Sequence, residues 1–250
     1  MRIAICQPTY LPWLGYFDLM EQVDTFVLLD TVQFERQSWQ QRNRIKTPTG
    51  LQWLTVPVIF RGRLEQKVHE VEIRDVEFRR KHLRGIEINY ARAPFLHEHL
   101  PALARILQGV NAGAHLAELN LRLIQWFAGI LGIHTPLVLA SSLDVQGNRT
   151  QLLANICGEL GAAQYVSPIG SAEYLLSEID VLSNAGVETV FHNYHHPEYM
   201  QQFPPFLPFA SVIDLIFNEG CRSIDIIRSG RSVCLTPSEV AARMAEPKEA

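Results

Sequence analysis

The stretch Arg2–Asp30, RIAICQPTYLPWLGYFDLMEQVDTFVLLD, carries the clearest structural signals of the 250-residue chain. Ile3 to Cys6 is a short apolar run of the kind found in buried strands, and the apolar spacing over Gly15 to Val23 predicts a helix. Thr25–Asp30 is a second apolar strand that ends in a carboxylate. Because few residues separate the two strands, the stretch predicts a βαβ unit with parallel strands.

Further strand and helix signals follow along the chain, and from residue 136 to residue 194 they alternate. Strands are predicted at 51–58, 68–73, 136–140, 164–166 and 189–194, and helices at 76–90, 96–108, 114–132, 150–160, 172–177, 214–217 and 223–227. This order predicts an α/β protein with a Rossmann-like parallel-sheet core and a helical middle segment at about 76–132. We treat 1–250 as one α/β domain, with a tail at 245–250 that is expected to fray.

Composition narrows the class of protein. With 47% hydrophobic residues the chain can bury a large core, and its net charge of -4 gives no global reason to bind nucleic acid or an anionic membrane. The four cysteines are far apart and include no CxxC pair, which favours a reducing cytoplasm. No apolar run reaches the roughly 18–20 residues of a membrane-spanning helix.

Several motifs occur in one order that resembles a known family. They include QPTYLPWLGYFDL (7–19), LLDTVQF (28–34), WQQRNRIKTPTGLQWLTVPV (39–58), NYARAPF (89–95) and SVIDLIFNEG (211–220). On these motifs the chain is identified as a member of the WbqC-like family, a bacterial group often associated with surface polysaccharide gene clusters.

The resemblance implies a transferase, which is the role proposed for the family. We therefore expect an acyl- or aminoacyl-type transferase that joins an amine to an activated carboxyl on a small or sugar-derived substrate, in O-antigen or specialised metabolite biosynthesis. The alternative is a non-catalytic protein that binds a nucleotide or nucleotide sugar. No cofactor is predicted, and the sequence does not indicate an oligomeric state.

The N-terminal order also resembles nucleotidyltransferases of the His-x-Gly-His type, so a nucleotidyltransferase-like form of the fold stays open. Trp13 and Tyr16 occupy the region of the two signature histidines. Neither side chain supplies an imidazolium to a reacting phosphate, so nucleotidyl transfer is disfavoured.

Polar and aromatic residues follow the first strand and predict a binding pocket. Gln7, Tyr10, Trp13 and Tyr16 lie where a loop leads into a helix N-terminus, which is a favourable place for a phosphate or carboxylate. The other interpretation is a rigid loop whose prolines only fix its path.

Asp30 and His82 are the candidate catalytic bases. Asp30 ends a predicted strand near Gln33, a candidate binding residue, and either accepts a proton or caps the next turn. His82 stands among basic residues that favour a neutral imidazole, although such a charge run is commonly a solvated helix face.

Later polar residues complete the predicted site. Arginines beside an indole can bind a ligand in which an anion lies next to a flat apolar group. We therefore predict substrate contacts for Trp39, Arg42, Asn43 and Arg44. Substrate contacts are also predicted for Tyr90, Ser167, Ser171, His196, Asp214 and Asn218. For Tyr90 the alternative is a structural hydrogen bond, and for the serines, Asp214 and Asn218 it is helix capping. His192, His195 and His196 have no nearby Cys or Asp to complete a tetrahedral set, so no metal is predicted.

Overall fold

Residues 1–63 and 65–245, which are the residues that the computed structural model describes, form a mixed α/β fold. Residues 246–250, most of the tail predicted to fray, lie outside that part of the chain. The strands are β1 (Arg2–Cys6), β2 (Thr25–Leu28), β3 (Arg42–Thr47), β4 (Gly50–Thr55), β5 (Leu137–Leu139), β6 (Gln164–Ser167) and β7 (Glu188–Phe191). The helices are α1 (Leu14–Glu21), α2 (Glu77–Asn89), α3 (Leu96–Gln108), α4 (Leu116–Leu131), α5 (Arg149–Glu159), α6 (Ala172–Ser177), α7 (Ile179–Asn184), α8 (Val212–Glu219), α9 (Ser223–Ser229) and α10 (Pro237–Ala245).

Five strands form a parallel sheet in the order β5-β2-β1-β6-β7. Strands β1 and β2 pair in parallel, with Ile3 opposite Thr25, and α1 connects them, as the sequence predicts. The α/β class with a Rossmann-like core is confirmed. The strand order reverses between β1 and β6, and α/β sheets bind ligands beside such a reversal, at the carboxyl ends of the strands.

Side chains that alternate along β1 pack on opposite faces of the sheet. Ala4 belongs to one buried cluster with residues of α1, α3, α4 and α8, whereas Ile3 and Ile5 belong to another with residues of α5, α6, α7 and α10. This alternation follows from the two-residue period of a strand. Both faces of the sheet are therefore covered by helices, as parallel sheets require.

The antiparallel hairpin β3–β4 lies outside the parallel sheet. The sequence predicts its second strand but not its first, in which Arg42, Asn43 and Arg44 alternate in burial. The predicted strand at 68–73 is wrong: Val68–Glu70 is a 3₁₀ turn, and Glu72 and Ile73 make only isolated bridges. Strand β7 ends at Phe191, so His192 and His196 do not share the face of one continuous strand.

Candidate functional site

A cavity lies at the carboxyl end of β1, beside the first turn of α1. Its volume is about 380 Å³, within the range of cavities that bind small molecules. The lining residues are Thr9, Trp13, Tyr16, Trp39, Asn43, Arg44 and Phe209. The fold thus brings together Trp13, Tyr16, Trp39, Asn43 and Arg44, which the sequence predicts as substrate-binding residues. Their contact with a substrate stays a prediction.

Hydrogen bonds from other elements fix the loop between β1 and α1. The Asn43 amide donates to the Leu11 carbonyl over 2.7 Å, and the buried Asn120 amide donates to the carbonyls of Pro8 and Gln40. Leu11 has a φ of 47°, in the left-handed region that a leucine rarely adopts. The surroundings therefore hold this loop in a strained conformation of the kind that clusters at binding sites.

Two side chains that line the cavity each carry a buried, unpaired polar atom. Thr9 Oγ1 and Arg44 Nε have no hydrogen-bond partner among residues 1–63 and 65–245. Burial also lowers the pKa of the Arg44 guanidinium. Because a buried donor without a partner is costly, both atoms gain from a ligand that accepts or shares a hydrogen bond.

The Trp13 indole lies against the first turn of α1 because residue 15 has no side chain. A Cβ at Gly15 would lie 2.2 Å from the nearest indole carbon of Trp13. The indole also contacts the rings of Tyr194, His196 and Phe209, so it has little room to move away. Gly15 therefore sets the position of one cavity wall.

We expect Gly15→Ala to lower the free energy of unfolding by about 1–3 kcal/mol, because the methyl group displaces a packed indole. Chemical denaturation monitored by tryptophan fluorescence measures this change. The matched control is Gly129→Ala, at an exposed position of α4 where a Cβ meets nothing within 4 Å. It should stabilise by up to about 1 kcal/mol through helix propensity. Equal stability of the two variants would contradict the packing described for Trp13.

His196 lies against the cavity wall in a defined tautomer. Its ring stacks on Trp13 with an interplanar angle of 16°, and it contacts Phe209 edge-on. Nδ1 lies 2.9 Å from the Pro197 carbonyl and must donate to it, so the neutral ring carries its lone pair on Nε2. Burial lowers the pKa of His196. Nε2 is buried without a partner among the described residues and is therefore a potential proton acceptor.

Asp30 is not among the residues that line the cavity. Its carboxylate accepts hydrogen bonds from the backbone and hydroxyl of Ser141 over 2.8 and 2.6 Å, which joins the end of β2 to the turn after β5. Its carbonyl accepts from His69. These contacts give the carboxylate a structural role at a turn far along the chain and not at the turn that follows Asp30, and the catalytic role stays a prediction.

His82 lies on the buried face of α2, away from the residues that line the cavity. Its Nδ1 is 2.9 Å from the buried Tyr10 hydroxyl, and a second hydrogen bond joins it to the Thr55 backbone. Its pKa falls to about 4. The lowered value agrees with the sequence-based expectation, but its cause is burial, because the neighbouring Arg80 and Lys81 face solvent.

Tyr90, Asp214 and Asn218 meet in a second buried cluster. The Asp214 carboxylate accepts hydrogen bonds from the hydroxyls of Tyr90 and Tyr199 and from the Gln201 amide. Asn218 donates to the Asp214 carbonyl within α8. None of the three predicted residues lines the cavity. The cluster instead fixes the segment that carries His196 and Phe209.

The remaining predicted residues lie at the edges of the site or outside it. The exposed Gln7 accepts from Gln40 through its side chain and from Tyr16 through its carbonyl. Gln33 bridges to Lys67, and Arg42 lies over the Trp53 ring. Ser167 ends β6, Ser171 is the last residue of the 3₁₀ turn that follows, and neither lines the cavity. Ser171 makes no side-chain cap at the start of α6.

Thr9, Tyr194 and Phe209 are not among the site residues predicted above from the sequence. Thr9 lies between Pro8 and Tyr10, in a motif that the sequence places at the pocket. Its position in that motif is therefore sufficient to predict it. Phe209 lies far along the chain and reaches Trp13 through the packing of the segment before α8. No local pattern marks it.

Comparison with known proteins shows the family of the chain. Residues 7–226 match the WbqC-like protein family, and the chain belongs to that family. It is 36% identical over 228 residues to the uncharacterized protein Rv1507c of Mycobacterium tuberculosis, an alignment that covers 91% of this chain and 97% of that protein. No solved structure matches the chain significantly.

Two further features concern metals and membranes. Across residues 1–63 and 65–245, no group of three or more His, Cys, Asp and Glu side chains is arranged to hold a metal ion. Within the same ranges, no helix combines the length and apolar character that a bilayer span requires.

Proposed function

We propose that the protein transfers an acyl or aminoacyl group from an activated carboxyl to an amine, with the substrate bound in the cavity beside α1. One observation supports this location above the others. Arg44 Nε and Thr9 Oγ1 are buried and unpaired in a concave site whose walls are largely aromatic. An anionic group next to a flat or apolar moiety fits that combination. The reaction class follows from the resemblance to the WbqC-like family.

The proposed step is a direct transfer. The amine nitrogen attacks the carbonyl carbon and forms an amide bond, the bond to the activating group breaks, and that group leaves with the electron pair. A base accepts the amine proton. A cysteine intermediate is disfavoured at Cys6, because burial raises the pKa of its thiol to about 12.

We assign the role of the base that accepts the amine proton to His196 Nε2 and not to Asp30 or His82. The side chains of Asp30 and His82 already make hydrogen bonds within the fold, whereas Nε2 of the neutral His196 ring has no partner among the described residues. Phe209, which contacts His196, is 47% exposed. His196 does not itself line the cavity, so a substrate reaches the imidazole only if the Phe209 ring, which does line it, turns aside.

The experiment measures amide formation by mass spectrometry, with acyl thioesters and aminoacyl adenylates as donors and nucleotide-linked amino sugars as acceptors. We expect the wild type to form product and His196→Gln to lose about a hundredfold in kcat. Arg44→Gln should lose about tenfold or more in kcat/KM. The control Arg80→Gln, at an exposed position of α2, should match the wild type.

The outcomes separate the candidate bases. A hundredfold loss in Asp30→Asn together with an unchanged rate in His196→Gln would return the base to Asp30. Circular dichroism confirms that each variant is folded.

A second candidate function is non-catalytic binding of a nucleotide or nucleotide sugar. The strand order favours it, because the cavity follows β1 at the reversal of the sheet, where α/β proteins bind nucleotides. Calorimetric binding of such a ligand without product from any donor and acceptor pair would support this function over transfer.

A further inference from the structure

We propose that Trp39 and Trp53 form a second subsite at the mouth of the cavity, which stacks the planar heteroaromatic ring of a nucleotide. The inference deepens the proposed function, on which it rests, by naming a ligand class: the donor or acceptor carries a nucleotide whose phosphate reaches Arg44. Trp53 does not line the cavity, so the subsite extends the binding surface onto the hairpin β3–β4.

The two indoles are large apolar groups left in solvent. Trp39 is 45% exposed and Trp53 is 40% exposed. Their ring centroids lie 5.2 Å apart at an interplanar angle of 43°. Trp53 lies directly opposite Arg44 in the hairpin register, so pairing of β3 with β4 fixes the geometry of the group. Exposed aromatic rings on a rigid scaffold are the usual platform for stacking bases.

Positive charge lies against the same rings. The Arg44 guanidinium carbon is 5.3 Å from the ring centroids of both Trp39 and Trp53, and that of Arg42 is 4.2 Å from Trp53. Arg44 and Trp39 also line the cavity. A ring stacked on the indoles therefore lies next to a cation whose Nε is unpaired among the described residues, so one ligand can supply both the ring and the anion.

The surroundings favour a small ligand over a membrane surface. Gln37, Gln52 and Thr55 are exposed polar neighbours in the chain, so the apolar surface is confined to a few rings. The protein's net charge of -4 does not attract anionic lipid. The adjoining concavity of about 380 Å³ has the dimensions of a small-molecule site.

The test uses AMP, adenosine and inorganic phosphate as separate probes in calorimetric titrations of the full chain. We expect the wild type to bind AMP and Trp53→Ala to bind it about tenfold more weakly, with partial recovery in Trp53→Phe. Phosphate affinity should be unchanged in Trp53→Ala and reduced in Arg44→Gln. Trp126→Phe, on α4 outside the site, is the control.

Three results would overturn the subsite. These are equal AMP affinity in the wild type and Trp53→Ala, the absence of AMP binding by the wild type, and binding to phosphatidylserine vesicles that Trp53→Ala abolishes. If any one of these results is found and amide formation still requires Arg44, the subsite fails and the proposed function stands. If AMP binding follows the prediction and no donor and acceptor pair gives product, the subsite stands and transfer fails.

Discussion

Asp214→Ala is expected to lower the free energy of unfolding by about 3–5 kcal/mol, because it removes the acceptor at the centre of a buried polar cluster. The carboxylate is completely buried and accepts three side-chain hydrogen bonds of 2.7–2.8 Å. Burial raises its pKa, and the three hydrogen bonds and, to a smaller extent, the attraction of Lys46 oppose that rise. The substitution leaves the hydroxyls of Tyr90 and Tyr199 and the Gln201 amide without their acceptor.

The consequence extends to the cavity. Tyr199 and Gln201 belong to the segment between β7 and α8, which also contains His196 and Phe209. Urea denaturation measures the loss of stability, and Asp144→Ala, at an exposed loop position, is the matched control. If Asp214→Ala were as stable as Asp144→Ala, the cluster would not fix this segment. Asp214→Asn keeps the shape of the side chain and should lose less.

The second large expected effect is a pH dependence of the free energy of unfolding, which arises from His82. Its pKa is about 4 in the folded protein and near 6.5 when unfolded, so the unfolded chain binds the extra proton between these values. The neutral ring therefore contributes stability that is fully present above pH 6.5 and is lost as the pH falls towards 4. The shift corresponds to about 3 kcal/mol at most.

The measurement is the free energy of unfolding of the wild type and His82→Gln at pH 7, 5.5 and 4. Between pH 7 and 4 the wild type should lose about 3 kcal/mol more than the variant. Burial also lowers the pKa values of His99 and His196, which act in the same direction, but they are present in both proteins and cancel in the comparison. Parallel pH dependences would show that His82 is not buried as described.

The elements that the sequence predicts correctly have strong local periodicity. In α4, Leu116, Leu119, Leu123 and Phe127 recur at three- and four-residue steps, and all four are buried. The predicted helix 96–108 coincides with α3. The first strand of the hairpin is missed because its sequence, Arg-Asn-Arg-Ile-Lys-Thr, contains three basic residues that suggest a solvated loop. Its strand conformation follows from tertiary packing, which also buries Lys46.

The sequence predicts where the candidate site lies but only some of the residues that form it. The residues from Trp13 to Arg44 follow from motifs near the first strand, whereas Phe209 and Tyr194 come from a segment that only the three-dimensional packing brings to Trp13. His82 had a usable signal: it lies four residues after Phe78 and four before Ile86, both buried on α2. That spacing indicates that His82 belongs to the core. The basic residues around it favour a solvent-exposed helix face instead, which is why the sequence-based interpretation differs.

The cavity beside α1 is proposed to bind the substrate. A crystal structure of the protein with the compound that binds most tightly in the calorimetric screen tests this proposal most directly. We predict an anionic oxygen of that compound within hydrogen-bonding distance of Arg44 Nε or Thr9 Oγ1, about 2.7–3.2 Å, with Trp13 or Trp39 against its apolar part. A compound bound elsewhere, such as in the groove between α2 and α3, with only water at Arg44 and Thr9, would show that this cavity is not the substrate site.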